Sequence, residues 1–261
     1  MRRVGWADVA VARFGYYTKA LRRRGAAVCY TSGLWAIQSG GRKMEKEFWL
    51  ERWERAEIGF HQDEVNPYLR RFWPELGVAA GGEVFVPLCG KSLDMVWLRG
   101  LGCDVLGVEL SPIAVQEFFR EQGKSPEREG GEAFDRYAAD GICIACGDFF
   151  DLRREDMARV SAVYDRASLV ALPPEMRERY ARHLASILPS GTRILLVTFD
   201  YPQAEMPGPP FAVSEATVRA LYGADAEVRL LAAEDVLDQN PRFRQRGVSR
   251  MVENIFLLTL R

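Results

Sequence analysis

No uninterrupted apolar run in the 261 residues approaches the roughly 20 that a membrane-spanning helix needs, so the sequence predicts a soluble protein with no membrane partner. Cysteine is scarce and odd in number, five in all, which argues against a secreted disulfide framework and for a reducing, cytoplasmic setting. An excess of charge of either sign is also missing. The chain has 35 Lys and Arg against 36 Asp and Glu, and no protein-wide basic field invites nucleic acid or anionic lipid. Internal repeats and low-complexity tracts are absent. With 48% hydrophobic and 27% charged residues, the collagen, mucin and coiled-coil classes fall away. What remains is an ordinary globular chain, long enough to bury a core as one large domain without staples.

The balance of charge hides two unlike segments. Residues 1–43 hold nine basic side chains against the single acid Asp8, while the other 218 residues carry a net −9. Gly25, Gly33 and Gly40-Gly41 interrupt the basic segment, which shows no sustained amphipathic period. It is expected to be a disordered extension, or translated sequence upstream of a natural start at Met44, rather than a functional leader. From residue 44 the pattern is regular. Glu45–Trp53 predicts a helix with Trp49 and Trp53 on one face, broken at Ile58–Gln62, and Asn66-Pro67 opens a second helix through Trp73, ended by Pro74 and Gly77. Apolar β-type runs then follow at Glu83–Pro87, Asp104–Leu110, Ile142–Cys146, Ala162–Asp165 and Arg193–Phe199. Helical stretches lie between them at 92–100, 112–122 and 174–187, the alternation of a parallel sheet covered on both faces. Two last runs, Glu227–Ala232 and Asn254–Leu260, have only a polar loop between them and predict an antiparallel pair at the sheet edge. Ser125–Phe134 reads as a polar loop.

In such a sheet a ligand sits at the carboxyl ends of the strands. The first strand runs out into Pro87-Leu88-Cys89-Gly90-Lys91-Ser92, and the second ends in Glu109, 19 residues past Gly90, close to the spacing of about 20 at which a carboxylate grips a ribose diol. Gly90-Lys91-Ser92 imitates the tail of a triphosphate loop, but Phe85 stands where that loop needs its first glycine. The Gly-x-Gly-x-x-Gly of dinucleotide sites is absent as well. A cofactor with a ribose and no phosphate chain fits, and S-adenosylmethionine is such a molecule.

Phe48-Trp49, Trp53, Ile58–Gln62, Pro87–Ser92, Gly107–Ser111, Asp165–Leu169 and Pro207–Phe211 together, in this order, resemble the thiopurine S-methyltransferase family, particularly its bacterial members, over roughly Met44 to Arg261. The resemblance implies a Rossmann-like α/β fold: a mostly parallel seven-stranded sheet with its last strand antiparallel and helices on both faces. It implies that Trp53 packs on the cofactor, that Leu88 contacts it, that Glu109 takes the ribose hydroxyls, and that Asp148 and Phe149 border the adenine. It places Arg166 beside both cofactor and acceptor, Phe60 in the acceptor pocket, and Arg242, with Arg244 nearby, in a basic loop close to the substrate.

The expected reaction is methyl transfer to the sulfur of a small aromatic or heterocyclic thiol, with selenium and tellurium compounds open to the same soft-nucleophile chemistry. Such thiols ionise near neutrality, so positive charge from Arg166 suffices and no general base is obligatory. His61 is read as structural and His183 as part of a helix surface. Cys143 and Cys146 have metal or redox spacing, but strand alternation points them to opposite faces and no second ligand pair exists, so no metal is expected. The Pro207–Phe211 run is expected to stiffen a wall of the acceptor pocket. The protein is expected to act as a monomer. Methylation of a halide or thiocyanate, or cofactor binding without catalysis, are the rival readings.

Overall fold

The structure, a computed structural model, describes residues 41–261. The extension expected over residues 1–43 lies, through residue 40, outside the described residues, and residues 41–43 open helix α1 (Gly41–Glu54). In chain order there follow α2 (Pro67–Leu76), β1 (Glu83–Val86), α3 (Leu93–Gly100), β2 (Asp104–Glu109), α4 (Pro112–Glu121), β3 (Glu127–Glu129), β4 (Asp135–Ala139), β5 (Ile142–Cys146) and β6 (Val160–Arg166). The chain closes with α5 (Pro174–Ile187), β7 (Arg193–Asp200), α6 (Glu215–Tyr222), β8 (Ala226–Asp235), α7 (Pro241–Gln245) and β9 (Val252–Leu260).

The sheet order is β3-β4-β5-β2-β1-β6-β7-β9-β8. Its centre, β5-β2-β1-β6-β7, is parallel, and these are the strands whose aliphatic runs are buried on both sides. β9 inserts antiparallel between β7 and β8, as the resemblance requires. All seven expected strands form, and two more extend the other edge: the β3–β4 hairpin adds to β5 in antiparallel register, so the sheet has nine strands among the described residues. The expected loop 125–134 holds β3 because pairing with β4 makes the strand. Glu127, Arg128 and Glu129 are all exposed and carry no apolar alternation to announce it.

One sheet face is covered by α2, α3 and α4 through Leu69, Met95, Leu98, Val115 and Phe118. The other is covered by α5 and α6 through Tyr180, Leu184, Val218 and Tyr222. Ridge-forming side chains at three- and four-residue spacing drive this docking. Three helix starts are fixed by sequence: Asn66 accepts from Tyr68 N at 2.9 Å, Ser92 from Asp94 N at 3.2 Å, and Ser111 from Ala114 N at 3.4 Å. Two expectations about helix limits are corrected. Pro74 lies inside α2 and does not stop it, the expected Gly77 alone ending the helix in a left-handed cap, and the 236–251 connection holds the short helix α7. A third apolar cluster, Tyr201, Met206, Val236, Leu237, Phe243, Val248 and Met251, packs the loops at the carboxyl edge of β7 and fixes α7 there. Among the described residues no helix is long and apolar enough to cross a membrane.

Candidate functional site

β1 delivers the chain to the carboxyl edge, where two left-handed residues, Leu88 at φ 44° and Gly90 at φ 52°, bend it back. At a branched residue that conformation costs about 1–2 kcal/mol, and it persists because the loop is pinned on both sides. Cys89 N donates to Val108 O at 3.0 Å, and Ser168 Oγ donates to Pro87 O at 2.8 Å. The bend aims Gly90 N–H at Glu109 Oε2, 2.9 Å away, and Ser111 N–H reaches Oε1 at 2.8 Å. Glu109 is only 6% exposed. Burial pushes its pKa up, and the backbone donors pull the other way. Each oxygen holds one N–H and keeps a second lone pair, so two hydroxyl donors on adjacent carbons find an oriented acceptor. Gly90 is required twice over, by its positive φ and because a Cβ there would stand 3.2 Å from Trp53 Cζ2.

Trp53 is buried against that loop and links it to the 58–62 turn. The Phe60 ring meets Trp53 edge-on at 5.7 Å and Trp49 at 5.8 Å, an aromatic cap across the carboxyl edge. Two arginines hold the cap from below. Arg166, the last residue of β6, donates from Nη1 to Phe60 O at 3.1 Å, and Arg242 of α7 donates to Gly59 O. Phe243, buried in the third cluster, sets the direction of α7 and so of Arg242. Burial, then Arg246 and Arg166, lower the Arg242 pKa. Arg244 turns away and pairs with Asp238, which separates it from the site.

β5 ends beside β2, Gly147 N donating to Glu109 O at 2.9 Å, and Asp148 follows at once. Asp148 Oδ1 caps the next turn at Phe150 N, 2.9 Å, and Oδ2 meets Lys46 of α1 at 2.7 Å. Phe149 is placed differently from its expected role. Its ring is 3% exposed and stacks on Tyr180 at 4.7 Å and 28°, so its side chain belongs to the core and only its main chain borders the edge. His183 is no plain surface residue either, since it packs edge-on against Phe149 at 5.2 Å.

Sequence reasoning missed Lys91. Its ammonium is nearly buried and bound to Glu117 at 2.9 Å and Glu121 at 2.7 Å, and these bonds raise its pKa although burial opposes them. A lysine so neutralised on α4 does not grip a triphosphate, which removes the phosphate-loop reading from its chemistry. Lys91 and Glu121 line a cavity of about 570 Å³ with His61, Asp63, Ala56, Ile58 and Gly59. His61 Nε2 stands 3.8 Å from Asp63 Oδ1, and burial with the nearby Lys91 lowers its pKa, which favours the neutral imidazole. Cys143 packs on one sheet face and Cys146 on the other, and both are free thiols. Among the described residues no group of His, Cys, Asp and Glu has the arrangement to hold a metal.

Glu109, Gly90, Trp53, Phe60, Arg166 and Arg242 thus form one connected chain of contacts. A diol acceptor lies at one end and two cations at the other, with aromatic rings between. The pattern of a thiopurine S-methyltransferase family model matches residues 44–261. A curated thiopurine S-methyltransferase of Nitrosospira multiformis is 66% identical over 218 residues, 84% of this chain and 99% of that protein. One of Azotobacter vinelandii is 55% identical over 218 residues, 84% and 100%. Among solved structures, a Burkholderia thailandensis 1,6-didemethyltoxoflavin-N1-methyltransferase with S-adenosylhomocysteine bound aligns with a TM-score of 0.59 at 14% identity, covering 90% of this chain and 96% of that one. A SAM-dependent methyltransferase from Anabaena variabilis gives 0.57 at 12%, covering 83% and 95%. At these identities the structural matches show the fold alone.

Proposed function

This chain belongs to the thiopurine S-methyltransferase family, and from that premise we propose that it transfers the methyl group of S-adenosylmethionine to the sulfur of thiopurines and related small aromatic or heterocyclic thiols. The observation that carries the reading is the buried Glu109 carboxylate, oriented by Gly90 N–H and Ser111 N–H yet with acceptor capacity left on both oxygens. It fits a ribose diol, and the bend at Leu88 leaves the ribose a short approach without the glycine-rich cradle a pyrophosphate needs. When bound, the cofactor supplies an electrophilic methyl carbon on a charged sulfur.

The chain's own residues supply placement. Glu109 holds the ribose, Leu88 and Trp53 bound the cofactor's face, and Asp148 with the main chain of Phe149 borders its base. Phe60 lines the acceptor pocket and excludes water together with Trp49 and Trp53, which matters because transfer between two sulfur centres depends on in-line alignment more than on proton chemistry. Arg166 is the catalytic cation, and Arg242 binds substrate at the same edge. Guanidinium groups stay charged at any working pH and stabilise a thiolate without a general base. The active domain is residues 44–261, acting as a monomer in the cytoplasm. Selenols and tellurium compounds are further acceptors of the same soft character.

Labelled S-adenosylmethionine offered with a thiopurine, an aryl thiol and iodide tests this directly. Label recovered on the two sulfur acceptors is the expected result. Label on iodide alone would replace the reading by halide methylation, and tight cofactor binding with no transfer to any acceptor would leave a binding protein.

A further inference from the structure

The surroundings of Arg166 contain a buried acid whose placement the reaction does not by itself explain. Arg166 and Arg242 are tied to adjacent carbonyls, so two permanent cations lie close together at the carboxyl edge. Held there before an anionic acceptor arrives, they need a counter-charge. Glu253 is on the right face to provide it. Arg166 is opposite Val197 of β7, Val197 is opposite Ile255 of β9, and Glu253 lies two residues from Ile255 toward the carboxyl edge. Tyr164, Val197 and Ile255 all pack into the same cluster, so Arg166 and Glu253, each two residues further out, continue that face. Two strand spacings and the two-residue offset put the backbones about 12 Å apart, a span that an Arg and a Glu side chain extended toward each other largely cover.

The second carboxylate in this corner already has its own cation. Glu234 of β8 is directly opposite Glu253, and it pairs with Arg71 at 2.6 Å and accepts from Tyr68 Oη at 3.2 Å. Glu253 is 9% exposed, Tyr68 also lies within reach of it, and Arg166 is the cation acting on it. Burial raises the Glu253 pKa and the Arg166 charge lowers it.

We propose that Glu253 is a positioning residue for Arg166: its buried carboxylate, beside Tyr68 and set against the already paired Glu234, holds the guanidinium over the carboxyl edge where the acceptor sulfur is methylated. This rests on the reading of Arg166 as the cation that supports the thiolate. The partnership leaves Glu253 out of direct contact with substrate or cofactor, and Glu253 acts only through the arginine.

A double-mutant cycle on the full-length enzyme tests it, with kcat/KM for an aryl thiol and S-adenosylhomocysteine affinity by calorimetry as readouts. Glu253→Gln keeps shape and hydrogen-bonding capacity but removes the charge. It is expected to lower kcat/KM about tenfold with cofactor affinity unchanged, and to have no further effect in an Arg166→Ala background. Tyr68→Phe, which is the milder change, is expected to lower kcat/KM about threefold and likewise to lose its effect without Arg166. An equal loss in both backgrounds for either variant, a parallel fall in cofactor affinity, or wild-type turnover in Glu253→Gln would overturn the inference while leaving Arg166 in place. Wild-type turnover in Arg166→Ala itself would overturn the reading of that arginine and this inference together.

Discussion

On the proposed function, Glu109 concentrates the cofactor-binding chemistry in one side chain. Its two backbone donors fix the carboxylate before any ligand arrives, so a diol would find a preorganised acceptor with little ordering left to oppose binding. Glu109→Ala is expected to weaken S-adenosylhomocysteine binding by about 1–3 kcal/mol in calorimetry, because two hydroxyl bonds disappear. Phe60 has the complementary part, at the acceptor end, in the same proposal. With its ring set edge-on between Trp49 and Trp53, Phe60→Ala opens the cap and is expected to raise KM for an aryl thiol severalfold, by about 1 kcal/mol of lost ring contact, with cofactor affinity unmoved. Glu109 was legible in the sequence through its spacing from Gly90. Glu253 and Lys91 were not, since a lone acid in a late strand and a lysine in a false phosphate motif acquire meaning only from the side chains that tertiary structure sets against them.

At the scale of elements, the strand ends and the short helix α7 place the charges. β6 ends in Asp165-Arg166, and the two alternate to opposite faces. Arg166 reaches Phe60 O, while Asp165 is buried on the other side, where Tyr180 Oη of α5 donates to it at 2.7 Å. Burial pushes the Asp165 pKa up to about 6, with the Tyr180 hydrogen bond working in the other direction. A carboxyl whose folded pKa is raised binds its proton more tightly in the folded state, so its contribution to stability falls as pH rises from about 4 to about 6 and is flat above that. The difference in unfolding free energy between the wild type and Asp165→Asn is therefore expected to shift toward the variant across this window, measurable by denaturant titration at several pH values. Helix α7 has five residues and little stability of its own. It holds Arg242 in place because Phe243 is sunk in the third cluster. Phe243→Ala is expected to cost about 3–5 kcal/mol of local or global stability and to raise the acceptor KM as Arg242 loses its anchor, read by thermal unfolding together with kinetics.

The whole molecule converts binding at one edge into global stability. Glu109, Trp53, Arg166 and Arg242 come from β2, α1, β6 and α7, which are far apart in sequence, so a ligand that touches them favours only the folded chain. At a hundred times its Kd, S-adenosylhomocysteine is expected to stabilise the protein by about 2.7 kcal/mol, seen as a rise in Tm, whereas a chelator should change neither Tm nor turnover. The strand order places the switch between β1 and β6, next to the loop that carries Leu88 and Gly90, and this is where an open α/β sheet leaves a crevice for a ligand.

Local spacing was enough to read the parallel core, the start of the second helix at Asn66, the family and the meeting of Glu109 with Gly90, because each is written in neighbouring residues: aliphatic runs, Asn before a helix, an acid one βα unit past a glycine. Only the tertiary structure decided the β3–β4 hairpin, whose exposed Glu-Arg-Glu strand exists through its partner, and the division of labour between Arg242 and Arg244, one bound to Gly59 O and the other to Asp238. Packing alone also made the Phe149 ring a core residue and put Glu253 on the sheet face that Arg166 continues. Register across a sheet and the direction of a side chain are long-range outcomes of packing, and no window along the chain contains both partners.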